Sequence, residues 1–183
     1  MGGNAGKLPH FIIAKPQIRA MAQLQGAHFG VYFNEEGTTY LLADIARAAG
    51  VPESSFKVTA VGGAPARWDL LQAGKIDVAL QPFPLSYQAE AAGFTNLGPM
   101  LQIVPDWQFT TVNANYPWAK QNQRAVSAFL RAMRDAQAYM VSHPDEAAQI
   151  AAQELRTDLA LAKGRSQTAR GTRFSTSACQ FLG

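Results

Sequence analysis

Between residues 26 and 97, three short β-rich runs alternate with three helical runs, and each helical run opens just past a strand on Gly, Thr, Pro or Ser. Strands and helices alternating at this spacing argue for an α/β fold with a parallel sheet covered on both faces. Its crossovers should be right-handed. Several helix N-termini, with their unpaired backbone N–H groups, then line one edge of the sheet. Such an edge suits a small, often anionic, ligand. Nothing along it resembles a catalytic set, so the chain reads first as a binder.

The elements follow from local pattern. Residues 11–14 form a short apolar strand ended by Lys15-Pro16. Residues 18–25 read as a short helix stopped by Gly26, and residues 27–32 as the next strand. Gly37-Thr38-Thr39 opens a helix through Ala49, with Leu41, Leu42, Ile45 and Ala49 as its apolar stripe and Gly50 as its stop. Residues 56–61 are a β-branched strand, and Gly62-Gly63-Ala64-Pro65 is a turn. Residues 66–73 are a helix with Trp68 and Leu71 inward, and residues 76–80 a buried strand. After Gln81-Pro82-Phe83-Pro84 comes a helix over 85–92, then a short strand at 95–97. Residues 107–112 read as a strand, 117–142 as one long helical region and 145–155 as a further helix. Residues 161–183 show no period and read as an irregular tail.

Candidate ligand contacts lie at the strand ends. Gly37, Thr38 and Thr39 offer N–H groups and hydroxyls to a sulfonate, phosphate or carboxylate, although Thr and Gly are also ordinary capping residues. Gly63 and Ala64 end the next strand, where a glycine permits close backbone approach. Gln81 can donate to a ligand, and Phe83 is either a pocket wall or a core residue. Tyr32 or Phe33 can stack on a planar ligand, and strand alternation turns one of the two inward. Glu35 and Glu36 read as a solvated loop. Facing a cleft, either would favour a cationic or polar ligand over an anion.

Composition excludes several classes. At 48% hydrophobic and 16% charged residues the 183-residue chain can bury a core. No apolar run approaches the roughly 20 residues of a membrane span, and residues 1–8 lack the apolar stretch of a signal peptide. Four of the sixteen Lys and Arg residues are Lys163, Arg165, Arg170 and Arg173, in the acid-free tail. The remaining twelve face thirteen acids, which removes the support for a nucleic-acid partner. His10, His28 and His143 show no metal-ligand spacing, and the single cysteine, Cys179, has no base partner in view. No metal, no cofactor and no enzyme activity are expected.

Four segments carry a resemblance. Ala14-Lys15-Pro16-Gln17-Ile18 with Leu24-Gln25-Gly26, Gly30-Val31 with Gly37-Thr38-Thr39-Tyr40-Leu41-Leu42, residues 70–79 (LLQAGKIDVA) and Pro144-Asp145-Glu146-Ala147-Ala148 occur in the order found in type II periplasmic solute-binding proteins. Within that group the chain resembles the sulfonate, taurine, nitrate and thiamine-precursor (NMT1/THI5-like) branch over about residues 11–160. The resemblance implies a remnant of a first lobe or hinge at 1–13, a second ligand-binding lobe at 14–112, helices returning to the first lobe at 113–160 and a tail at 161–183. It implies a parallel-rich sheet with helices on both faces plus C-terminal helices. It further implies an extracytoplasmic, monomeric substrate-binding component of an ABC importer, partnered by a membrane permease, with its small solute held at Tyr32, Gly37, Thr38, Thr39, Gly63, Ala64, Gln81 and Phe83. Two alternatives share the architecture: a thiamine-pyrimidine precursor binding or biosynthesis protein, and the effector-binding domain of a LysR-type regulator.

Overall fold

The computed structural model describes residues 2–5, 7–156, 158–160 and 162–163, so Cys179 and nearly all of the expected tail lie outside the described residues. In chain order the strands are β1 (Gly2–Ala5), β2 (His10–Ala14), β3 (His28–Val31), β4 (Lys57–Ala60), β5 (Val78–Pro82), β6 (Thr95–Pro99) and β7 (Thr110–Val112). The helices are α1 (Leu42–Ala49), α2 (Ala64–Gln72), α3 (Leu85–Ala91), α4 (Tyr116–Gln121), α5 (Gln123–Ser142) and α6 (Pro144–Glu154). The chain divides into two compact units, Leu8–Pro105 and a second made of Met1–Lys7 with Asp106–Gly183.

The Leu8–Pro105 unit holds a five-stranded sheet in the order β4-β3-β5-β2-β6. β3 pairs in parallel with β4 and with β5, as the alternating pattern predicts. The sheet is parallel-rich, as expected, with β2 alone reversed: it runs antiparallel to both β5 and β6. β2 precedes the repeating strand–helix units, so no crossover helix sets its direction. It inserts between two strands that run the other way, with Ile12 opposite Leu80 and Ile13 opposite Ala79.

Strand alternation sorts the core. On one face Ile13 and Ala79 meet Trp68 and Leu71 of α2, Ile76, and Ala89 of α3. Gly30 sits on this face because a Cβ there would lie 2.5 Å from Ile76 Cδ1 and 3.1 Å from Val61 Cγ2. Phe29 points to the opposite face and packs on Phe56, with ring centroids 4.6 Å apart. α1 buries Leu42, Ile45, Ala46 and Ala49, three of them from the expected stripe, and ends at Gly50 with φ 70°. There a left-handed residue is required and glycine meets no steric penalty.

Asp77 ties the N-terminal ends of β3 and β5 to the C-terminal end of the antiparallel β2. It accepts from Lys15 Nζ at 2.6 Å and from the His28 backbone N–H at 2.9 Å, while Lys15 Nζ also reaches the Gly74 carbonyl at 3.1 Å. These bonds hold the Asp77 carboxyl below its ordinary range, although burial acts in the opposite direction.

Other boundaries move. The expected helix over 18–25 shrinks to a 3-10 turn at Met21–Leu24. Ala64 and Pro65 belong to α2 rather than to the preceding turn, with proline in its first turn, where its missing N–H costs nothing. In the other unit β1 and β7 pair antiparallel. The single helical region expected over 117–142 is two helices divided at Asn122, which caps α4 and bonds the Trp118 carbonyl through its side chain at 2.9 Å.

Candidate ligand-binding site

β3, β4 and β5 run the same way, so three connections leave one edge of the sheet: residues 32–41, residues 61–63 and Phe83-Pro84. The antiparallel β2 starts at that edge, with His10 opposite Pro82.

The first connection departs from its expected form. The helix expected from Gly37 begins at Leu42, and residues 37–41 are successive turns in which Leu41 and Leu42 donate to the Thr38 and Thr39 carbonyls. The Glu36 carboxylate accepts from the Thr38 backbone N–H at 2.9 Å and from the Thr38 hydroxyl. Thr39 Oγ1 donates to the Phe33 carbonyl at 2.7 Å. Side-chain bonds of this kind compete with helix formation and delay its start. The donors expected to face a ligand at Thr38 and Thr39 are thus engaged within their own loop. Glu36 is half-buried and bonded, not the solvated loop residue expected.

Tyr32 and Gly63 come together. A Cβ on Gly63 would stand 3.8 Å from Tyr32 Cε2, so the glycine leaves room beside the ring. Tyr32 packs on Phe33 with centroids 4.1 Å apart, and both remain exposed, so alternation does not turn either inward. Ala64 opens α2 behind Gly63. Phe83 is half-buried and meets Tyr87 edge-on at 5.7 Å, while Tyr87 also lies 6.4 Å from Phe11.

The same sheet edge also buries polar residues, of which the sequence anticipates only Gln81. Gln81 lies two residues beyond Ala79 on β5, hence on the face that packs α2 and α3. Arg67 precedes Leu71 by four residues on α2, and Ser86 precedes Ala89 by three on α3, so both share the faces that enter the core. Each of the three stands one step past the apolar cluster, toward the same sheet edge. Gln81 is 0% exposed, Ser86 1% and Arg67 5%. Gln81 Oε1 and Nε2, Ser86 Oγ and Arg67 Nε have no hydrogen-bond partner among the described residues.

Charges complete the layer. Burial lowers the Arg67 pKa, and the Glu36 carboxylate partly offsets that effect. His10, buried at the start of β2, is pushed down to about 4, first by burial and then by the Arg67 charge, and is neutral near pH 7. Arg67 and Ser86 were not singled out from the sequence, whereas Glu36 was weighed there as a solvated loop residue or a cleft carboxylate. The available signal was a polar residue at helical spacing from a core residue: Arg67 from Leu71 and Ser86 from Ala89. No group of three His, Cys, Asp or Glu residues able to hold a metal occurs among the described residues, and no described helix is long and apolar enough to cross a membrane.

A family model described as NMT1/THI5 like matches residues 8–147. No curated protein sequence matches the chain. The periplasmic aliphatic sulphonate binding protein SsuA from Escherichia coli superposes with a TM-score of 0.69 at 19% identity, over 87% of this chain and 51% of that one. The ligand binding component of an ABC-type import system from Staphylococcus aureus superposes with a TM-score of 0.72 at 14% identity, over 87% of this chain and 55% of that one. The desulfurization enzyme DSZB shares the fold with a TM-score of 0.58 at 12% identity, over 91% and 61% of the two chains. At such identities the likeness is one of fold, and the chain spans just over half the length of the binding proteins it matches. The ordered strands and helices, the single antiparallel strand beside the central one and the matched span agree: the chain belongs to the NMT1/THI5-like family and has the α/β fold of periplasmic solute-binding proteins.

Proposed function

We propose that this chain is the solute-binding part of an ABC-type importer. It holds a small sulfonate-, nitrate- or taurine-like solute at the edge where β3, β4 and β5 end, and acts outside the cytoplasm as a monomer that hands its solute to a membrane permease. The contacts come from Tyr32, the loop of Gly37, Thr38 and Thr39, the Gly63-Ala64 turn, Gln81 and Phe83. Binding, rather than bond chemistry, is the output. Closure of a second lobe is driven by solute contacts that exist only in the closed state.

The observation that supports this reading is the unpartnered polar layer of Arg67, Gln81 and Ser86. Buried polar groups are almost always hydrogen-bonded, and leaving one unmade costs about 1–3 kcal/mol. Such a layer at a sheet edge suits a protein that completes its hydrogen bonds with a solute. The experiment is a thermal-shift screen of the 183-residue chain against alkanesulfonates, taurine, nitrate, phthalate and aminopyrimidines. A solute bound only by the native state at about 100 times its Kd adds about 2.7 kcal/mol of stability and raises Tm. A rise with one sulfonate- or nitrate-like class supports the proposal. A rise only with aminopyrimidines would replace it with the thiamine-precursor reading, and a cooperative melt unmoved by every compound would refute it.

A further inference from the structure

Thr38 has both of its donors taken, and what takes them is an oxyanion of the chain's own. One oxygen of the Glu36 carboxylate accepts from the Thr38 backbone N–H at 2.9 Å, and the other accepts from the Thr38 hydroxyl. An ionised carboxylate on an N–H and an O–H makes the charge-assisted contacts that the solute-binding reading gives to the solute. The two occupants exclude one another. A single N–H cannot point straight at two acceptors, and two anions on the same donors repel.

The contact is built to open. Glu36 is half-buried while Glu35 and Gly37 on either side are exposed, because its carboxylate folds back on Thr38. The partners lie two residues apart, in a connection between β3 and α1 that holds neither strand nor helix. Breaking their bonds therefore leaves the sheet and α1 intact. A displaced carboxylate also remains in a favourable field. The Arg67 backbone N–H bonds the Gly63 carbonyl at 3.0 Å, and Gly63 stands beside Tyr32, where the Glu36 connection begins. The Glu36 charge is felt at the buried Arg67 guanidinium, whose Nε has no hydrogen-bond partner among the described residues.

We propose that Glu36 is a built-in competitor for the solute: its carboxylate holds the Thr38 donors until a solute oxyanion displaces it. The proposal rests on the solute-binding reading and adds the regulation of that site. Affinity is held below what the Thr38 donors can supply, and only an anion that outcompetes the carboxylate is retained.

The test titrates ethanesulfonate, a compact three-oxygen anion, into the 183-residue chain by calorimetry, as wild type, Glu36→Ala and Glu36→Gln. Glu36→Ala is expected to bind about 10- to 150-fold more tightly than wild type, the worth of one hydrogen bond to a charged group. Binding by the variant alone counts equally in favour. Glu36→Gln keeps an acceptor for Thr38 and is expected to fall between the two. Affinity in Glu36→Ala equal to or below that of wild type would overturn the proposal and leave the solute-binding reading standing. Equal gains in both variants would also overturn it, because Glu36 would then act by its charge alone. Should Glu36→Ala fail to fold, Glu36→Gln decides: a gain that survives about 0.5 M NaCl belongs to the contact, and one that vanishes there is screened charge and refutes it. Binding by neither wild type nor variant would overturn the proposal, and a flat thermal-shift screen beside it would take the solute-binding reading as well.

Discussion

Acidification should destabilise this protein through one buried histidine, His10. Its pKa in the fold is about 4, against 6.5 for the free side chain, and the imidazole is 6% exposed. Burial disfavours the charged form, and the nearby Arg67 guanidinium disfavours it further. The unfolded chain therefore binds a proton between pH 6.5 and 4 that the native state refuses. A folded pKa below the unfolded one means stability that is complete above pH 6.5 and is lost as the pH falls toward 4. For those two pKa values, linkage gives a loss of about 2 kcal/mol between pH 7.5 and 5.0. The limiting loss below pH 4 is about 3 kcal/mol. Asp77 lies outside this window, because its pKa is lowered from 3.8 and its contribution disappears only at more acidic pH. The assay is urea unfolding at pH 7.5, 6.0 and 5.0 for the wild-type chain and for His10→Asn. The wild-type midpoint should fall by about 1 M more than that of the variant for an m-value near 2 kcal/mol/M. The variant's stability at pH 7.5 is immaterial, since the slope carries the result. Parallel slopes for the two proteins would refute the reasoning.

Asp77→Ala removes the acceptor shared by Lys15 and the His28 N–H, and should cost about 1–3 kcal/mol in urea unfolding at pH 7, against a smaller loss for Lys15→Met. Gly63→Val places its Cβ 3.8 Å from the Tyr32 ring at a backbone φ of −62°, so stability should stay within about 1 kcal/mol. Its affinity for the solute should fall tenfold or more, about 1.4 kcal/mol; unchanged affinity in calorimetry would remove Gly63 from the site.

Much of the site was legible as a place and little of it as chemistry. Gln81 and Phe83 were readable as strand-end residues, and Gly63 as a glycine before a proline-initiated helix, because turn chemistry is local. Thr38 and Thr39 looked like a helix cap, but the bonds to Glu36 and the Phe33 carbonyl delay α1 until Leu42. Those bonds depend on how the loop folds back on itself, which periodicity does not record. Arg67 drew no attention in the sequence, and its burial depends on elements packed around α2 rather than on local pattern.

The sequence by itself determined the order of elements, the α/β class and the inward turn of Leu42, Ile45 and Ala49 on α1 and of Trp68 and Leu71 on α2. Apolar spacing and glycine stops act within a few residues and survive any choice of neighbours. The tertiary structure alone decided that β2 lies antiparallel between β5 and β6, since strand partners are chosen by long-range pairing. It alone decided that Arg67, Gln81 and Ser86 are buried with polar atoms unmatched. Whether a polar atom is satisfied depends on everything packed around it, and that environment exists only once the chain has folded.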